Sequence, residues 1–243
     1  MALLDLWLVR HGESTANVAA SLAEREQREA IDAESRDADV PLSPGGELQA
    51  AALANWLAAN TTPTSVWSSP YVRARQTAQI ALRLAPSGTV IRYDERLRDR
   101  ELGVLDLLTS VGVEKRLPAE AVRRRWLGKF YYRPPGGESW TDVALRVRAF
   151  LRDLDIPAQN GPALVVAHDA VVMLFLYVCL GLDEQELLEF SQTHVVLNAS
   201  VTRLSRPDET APWTLRTFSE VEHLAESEAP ITSHPGDKNA SIH

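Results

Sequence analysis

Leu3-Leu4-Asp5-Leu6-Trp7-Leu8-Val9, followed by Arg10-His11-Gly12-Glu13-Ser14, is the stretch around which the rest of the chain can be ordered. Its first part is a short apolar run that ends in polar residues, the pattern of a buried strand. The glycine then permits a tight turn from strand into helix. The same pattern returns twice. Val66-Trp67-Ser68 reads as a strand, and Ser69-Pro70 as the cap and first-turn proline of a helix reaching about Leu84. Residues 163–167 read as another buried strand, with His168-Asp169 at the turn into an apolar helix that Gly181 closes.

Between these units, Ser43-Pro44 predicts a capped helix carried by Leu48, Ala52 and Trp56 at four-residue spacing. Ser139 with Asp142 predicts another, whose apolar stripe is Val143, Val147, Phe150, Leu151 and Leu154. Further short strands are expected at 88–93, 194–204 and 213–221. Strands alternating with helices predict an α/β fold, a three-layer α/β/α sandwich with a mostly parallel central sheet. One domain is expected over 1–222. Residues 21–40, with seven acids and three bases, read as an exposed helix or mobile loop. Residues 104–138 read as a partly helical lid insertion, because a long irregular connection in such a domain is functional or disordered. The polar, acidic residues 223–243 are expected to be a disordered tail.

Composition narrows the function. With 243 residues, 45% apolar and 24% charged, the chain is ordinary globular material. Its 25 basic and 33 acidic residues give a net charge of −8, which disfavours non-specific nucleic-acid binding. Of the bases, 22 are Arg and 3 are Lys, and Arg is the side chain that grips phosphate or carboxylate in a fork. The single cysteine, Cys179, excludes an intrachain disulfide and a Cys-based zinc cluster and gives no sign of an oxidising compartment. No basic stretch precedes the first apolar run, so no signal peptide is expected and the location reads as cytoplasmic. Residues 163–182 are long enough to suggest a membrane span. His168 and Asp169 inside that run favour a buried strand and helix instead, so no membrane association is expected.

In a parallel sheet, the first strand would end in Arg10-His11, the second in Ser68-Ser69 with Arg73 one helical turn on, and the third in His168-Asp169. Ligands of such sheets bind beyond the carboxyl ends of the strands. Two Arg and two His converging there suit a dianion, since Arg forks match phosphate oxygens and a neutral imidazole is a competent nucleophile. Neither His-x-His nor His-Glu-x-x-His occurs, so no metal site is expected.

Leu8-Val9-Arg10-His11-Gly12-Glu13-Ser14 with Asn17 resembles the signature of the histidine phosphatase superfamily, the group that includes phosphoglycerate mutase. Pro41-Leu42-Ser43 with Gly46 and Gln49-Ala50 is similar to a further family element, as is Ser68-Ser69-Pro70 with Arg73, Ala74, Gln76, Thr77 and Ala78. Gly136-Gly137-Glu138-Ser139 and Val165-Val166-Ala167-His168 complete the series, over about residues 3–205. The resemblance implies a phosphoglycerate mutase-like fold. It implies His11 as the nucleophile that forms a phosphohistidine, and Arg10, Arg73, His168 and Asn17 as phosphate ligands. It implies no cofactor. The family also places a Glu four residues before a glycine as proton donor. Here Asp99 holds that position before Gly103 and is preferred, with Glu101 as the alternative. Glycine commonly follows the family's second His, whereas this chain has Asp169, which either caps the next helix or orients His168.

The expected partner is a small phosphorylated substrate, and because related folds often dimerise, a homodimer is admitted. The chain lacks the Trp before the signature Asn and the Asn-Glu-Arg-His-Tyr-Gly motif of the mutase branch. This favours a metal-independent phosphomonoesterase. A phosphoglycerate mutase-type transferase and a non-catalytic phospholigand-binding module are the alternatives. Arg116, Arg123, Arg124, Arg125, Lys129 and Arg133 could meet further anionic groups or form a solvated helix face.

Overall fold

The opening strand runs one residue past its apolar stretch. In the computed structural model, which describes residues 4–85, 88–154 and 161–234, β1 spans Leu4–Arg10. Ser14 and Asn17 then form a capping box that starts α1 (Thr15–Arg25). Most of the acidic segment 21–40 is therefore loop rather than helix. That loop is tied down: Ile31 N donates to Leu107 O at 2.8 Å, and Asp37–Asp39 closes a 3-10 turn.

Ser43 caps α2 (Pro44–Ala59) through its hydroxyl, as its Ser-Pro start predicts. Next come β2 (Ser65–Ser68) and α3 (Val72–Ala81). This helix starts later than the Ser69-Pro70 pair predicts and ends before Leu84. Tyr71 is its N-cap, and the Ser69 hydroxyl bonds His168 across the sheet edge at 2.8 Å. The strand expected at 88–93 is the short β3 (Ile91–Tyr93).

The lid region is more regular than an irregular connection. It contains α4 (Ser110–Arg116) and α5 (Pro118–Tyr131), packed through Leu105, Val113, Ala121 and Tyr132. Gly128, at φ 72° and ψ 164°, breaks α5 near its end, a backbone conformation open to glycine at little cost. The expected capping box of Ser139 and Asp142 starts α6 (Trp140–Asp153). β4 (Ala163–Ala167) and α7 (Asp169–Leu180) follow, and Gly181 closes α7 in the left-handed conformation.

The sequence reading places no helix at α8 (Glu184–Thr193), which Asp183 and Glu186 cap. β5 (Val201–Arg206) starts well after residue 194, and the skipped residues form a loop that reaches the site. β6 (Thr214–Glu220) then leads into α9 (Glu222–Glu226). The tail expected to be disordered from 223 is ordered as far as 234. Leu224 is buried against Ala52 and Ala199, and Gln49 Nε2 donates to Pro230 O and Thr232 Oγ1, both at 2.8 Å. Apolar burial and satisfied backbone partners hold it where composition alone suggests disorder. Residues 235–243 lie outside the described residues.

The six-stranded sheet has the order β3-β2-β4-β1-β5-β6. β3, β2, β4 and β1 are mutually parallel; β5 is antiparallel to both β1 and β6. Leu6 and Leu8 of β1 face a core shared with α6 and α7, while Trp7 and Val9 face α2 and α3. Two covered faces explain why β1 and β4 read as continuous apolar runs. The result is the expected mixed α/β fold, with helices on both sides of a mostly parallel sheet. Among the described residues, no helix is long and apolar enough to cross a membrane.

Candidate active site

The parallel register brings three strand ends level. Arg10 aligns with Ala167, and Ser68 with Val166. The pairing continues one step further: His11 N donates to Ala167 O and Ser69 N to Val166 O, each at 2.9 Å. His11, Ser69 and His168 therefore leave the sheet at one edge, and the His11 and His168 rings meet edge to face with centroids 5.1 Å apart.

His11 is only 3% exposed. Its Nδ1 lies 2.7 Å from the carbonyl oxygen of Gly12. A carbonyl only accepts, so Nδ1 carries the proton and Nε2 keeps its lone pair. Burial above all, then the charges of Arg73, His168 and Arg10, hold this imidazole well below the usual histidine range. The supporting loop is tight: Gly12 N donates to Thr77 Oγ1 at 3.0 Å, and Asn198 Nδ2 donates to His11 O at 3.1 Å. A Cβ on Gly12 would stand 2.6 Å from Gly46 O, and one on Gly46 would stand 2.0 Å from Glu13 O. Both glycines let the N-terminus of α2 approach the histidine loop.

Arg10 is buried beside this ring. Its Nη1 donates to Val196 O at 2.6 Å and its Nη2 to His234 O at 2.9 Å, while its Nε is buried without a partner. Arg73 is 4% exposed. Its Nη1 donates to Asp37 O at 2.6 Å and its Nη2 to Asp99 Oδ2 at 3.0 Å. His168 is fully buried; its Nε2 shares a hydrogen with Ser69 Oγ at 2.8 Å. Its Nδ1 is 3.2 Å from Asp99 Oδ2 but lies off the line of a hydrogen bond. Burial pushes the Asp99 carboxyl up, but the charges of His168, Arg73 and His11 outweigh it and hold the group well below the usual carboxylate range. Burial lowers His168, and Asp99 counteracts only part of that.

The structure thus separates the two carboxylates that sequence reading leaves as alternatives. Asp99 lies against Arg73 and His168. Glu101 is half-exposed, accepting from Tyr71 Oη at 2.8 Å and lying 3.8 Å from Arg98 Nε. Asn17 lies near, but its Oδ1 is used by the α1 cap and by Asn198 Nδ2 at 3.4 Å, so its amide nitrogen is what it has left to offer an anion. Asp169 is the first residue of α7 rather than its cap, which is His168.

Sequence reading misses Asp37, Asn198 and His234, each supplied by a loop or by the tail. No local pattern marks them, because their partners are 36, 187 and 224 residues away. One ligand atom each from His11, Asp99 and His168 falls within 4.8 Å of the others, a spacing that could hold a metal ion. Arg73 already lies on the same Asp99 oxygen, so a cation there would face a guanidinium. The donor set as a whole suits an anion: two buried guanidinia and two imidazoles, with a lone pair on His11 Nε2.

The edge of this mostly parallel sheet therefore presents donors suited to a phosphoryl group. The model of the histidine phosphatase superfamily (branch 1) matches residues 6–220, and the chain belongs to that family. It is 33% identical over 173 residues to a 6-phosphofructo-2-kinase/fructose-2,6-bisphosphatase of Caenorhabditis elegans, covering 71% of this chain but 33% of that protein. The chain thus spans about a third of that relative's length. It is 31% identical over 230 residues to a probable phosphoglycerate mutase of Salmonella choleraesuis, covering 91% of this chain and 95% of that protein. A mycobacterial glucosyl-3-phosphoglycerate phosphatase, solved with VO3, superposes with a TM-score of 0.70 at 27% identity, over 88% of this chain and 98% of that one.

Proposed function

We propose that this protein is a metal-independent phosphomonoesterase that hydrolyses small phosphate esters through a phosphohistidine at His11. The observation that carries the proposal is the 2.7 Å contact from His11 Nδ1 to Gly12 O, which leaves Nε2 as an unprotonated nucleophile beside two guanidinia. In the first step, His11 Nε2 attacks phosphorus and the P–O bond to the alcohol breaks. Asp99 gives the departing oxygen its proton. In the second, water attacks the phosphohistidine, Asp99 takes the water's proton, and the P–N bond breaks to release phosphate.

Arg10, Arg73, His168 and the Asn17 amide would hold the equatorial oxygens, and their fixed charge would supply most of the catalysis. Asp99 can act as an acid because an arriving phosphate dianion adds negative charge next to it and competes for Arg73; both effects raise its pKa. The single buried thiol, Cys179, fits a cytoplasmic setting.

The test is phosphate release from p-nitrophenyl phosphate with EDTA present, by wild type and His11→Ala in parallel, with capture of an acid-labile, alkali-stable phosphoprotein. Hydrolysis by wild type alone supports the reading; no hydrolysis, or full activity in His11→Ala, overturns it. The name of the Salmonella relative favours one second reading, transfer of the phosphoryl group to another alcohol. Product phosphorylation exceeding phosphate release, with dependence on a priming bisphosphate, would select it.

A further inference from the structure

Both terminal nitrogens of Arg73 already serve protein oxygens. Nη1 donates to the backbone oxygen of Asp37 at 2.6 Å and lies 2.9 Å from its Oδ1. Nη2 donates to Asp37 Oδ2 at 3.3 Å and to Asp99 Oδ2 at 3.0 Å. The Asp37 carboxylate therefore spans the guanidinium fork with both oxygens, the arrangement in which Arg also holds the oxygens of a phosphate. A phosphoryl group can take the fork only after that carboxylate has left it.

The two carboxylates on Arg73 are held differently. Asp99 has further partners: its Oδ1 accepts from Arg100 N at 2.8 Å, and its Oδ2 is 3.2 Å from His168 Nδ1. Among the described residues, the Asp37 carboxylate is held by Arg73 alone, and its side chain is 40% exposed. Water can take up a carboxylate so placed, so the pair costs little to open from the Asp37 side.

The backbone around Asp37 allows that opening. The connection between α1 and α2 is fixed to the lid at one end, where Ile31 N donates to Leu107 O, Thr109 N donates to Glu29 O at 3.2 Å, and Lys115 and Arg116 pair with Glu29 at 3.3 and 2.9 Å. At the other end, Thr15 N donates to Pro41 O at 3.0 Å and Leu42 N to Gln76 Oε1 at 2.8 Å. Between these anchors, the 3-10 turn at Asp37–Asp39 is closed by local bonds, Asp39 N to Arg36 O at 2.9 Å and Val40 N to Asp37 O at 3.4 Å. A turn hung between two fixed points can swing without unpairing either.

We propose that Asp37 is a placeholder for the substrate's phosphoryl group on Arg73, an intramolecular anion that the phosphate evicts and that thereby sets the affinity of the site. The inference rests on the reading of Arg73 as a phosphate ligand and adds to it the residue against which every ligand of the fork competes. Without substrate, Asp37 and Asp99 together keep the buried guanidinium paired. On binding, phosphoryl oxygens take the place of the Asp37 carboxylate, which turns to water, while Asp99 stays at the site through Arg100 and His168. The cost of eviction is common to substrate, product phosphate and phosphate analogues, so Asp37 weakens all of them by a similar factor.

Asp37→Asn tests this, because it removes the charge and keeps the shape and the backbone oxygen. In titration calorimetry, inorganic phosphate and orthovanadate should each bind about three- to tenfold more tightly than to wild type, a gain between the worth of an exposed ion pair and that of a charge-assisted hydrogen bond. KM for p-nitrophenyl phosphate should fall by a similar factor, with a far smaller change in kcat. Asp37→Glu, which keeps a carboxylate, should return toward wild type. Asp39→Asn is the charge-matched control: Asp39 lies in the same turn but pairs with Arg36 at 2.6 Å, so its loss should leave phosphate affinity close to wild type. Unchanged affinity in Asp37→Asn, or a gain that Asp39→Asn matches, overturns the placeholder. Weaker affinity with a lower kcat also overturns it and makes Asp37 a residue that orients Arg73. If p-nitrophenyl phosphate is hydrolysed in either case, the phosphatase reading stands without the placeholder. If phosphate binds more tightly to Asp37→Asn while no ester is hydrolysed, the placeholder stands and the phosphatase reading falls. No phosphate binding by either protein removes both.

Discussion

Asp99 and Arg73 meet at 3.0 Å, Oδ2 to Nη2, with His168 Nδ1 3.2 Å from the same oxygen. Arg73 is thus neutralised from two sides, by Asp99 and by the Asp37 carboxylate, whose Oδ1 lies 2.9 Å from Nη1. In the proposed reaction, a phosphate dianion would compete with Asp99 for Arg73 and leave Asp99 next to negative charge, which raises its pKa.

Asp99→Asn keeps the shape and removes the transferable proton. It should lower kcat on an alkyl ester such as glycerol 3-phosphate by about 10²–10⁴-fold, the usual range for a general acid. The loss should be smaller on p-nitrophenyl phosphate, whose leaving group needs no proton. Glu101→Gln should leave both rates close to wild type. The reverse ranking in steady-state kinetics would move the acid role to Glu101.

The pH dependence of stability follows from two buried imidazoles. His11 and His168 are both held below the usual histidine range, chiefly by burial. The unfolded chain protonates these rings near pH 6.5, while the folded chain resists it to lower pH. The unfolded state therefore binds more protons in that window, and stability present above about pH 6.5 is lost as pH falls below it. Asp99, also lowered, adds a further loss as pH falls through its folded value. Thermal melts from pH 8 down to pH 5 should show a falling Tm that starts near pH 6.5. The slope should be shallower in His11→Asn.

Gly46→Ala tests the close approach of α2 to the histidine loop. The added Cβ would meet the carbonyl oxygen of Glu13 at 2.0 Å, so backbone must shift. A cost of about 1–3 kcal/mol is expected, the scale of overpacking, which lowers Tm by about 2–4 °C per kcal/mol in a chain of this size. Activity should fall more than stability, because the displaced loop carries His11.

Thr232→Val tests whether the C-terminal segment is part of the domain. The Thr232 hydroxyl accepts from Gln49 Nε2 at 2.8 Å and lies 3.2 Å from Asn198 Oδ1, to which it donates. Valine has nearly the same shape and neither bond. A loss of about 0.5–1.5 kcal/mol per bond is expected in urea unfolding. A disordered segment would show none.

Much of this molecule is legible without coordinates. The apolar runs of β1 and β4 and the Ser-started caps of α2 and α6 are local patterns, so their elements lie close to where the sequence puts them. His11, Arg10, Arg73 and His168 are legible because each directly follows such a run or lies in the first turn beyond it. Ser69 misleads because Ser-Pro is a local helix-start signal, whereas the hydroxyl is used by His168, 99 residues away.

The amino-acid sequence by itself determined the alternation of strands and helices, the mostly parallel sheet, and the set of cations and imidazoles at its carboxyl edge. These depend on neighbours within a turn or a strand, where spacing and side-chain type suffice. Only the tertiary structure decided that Asp99 rather than Glu101 lies against His168, since two residues in one segment are told apart by what packs over them. The same holds for Asn198 and for His234 closing on Arg10 across 224 residues. The physical reason is that electrostatics and hydrogen bonding depend on distance in space, which the chain sets by folding and not by order along it.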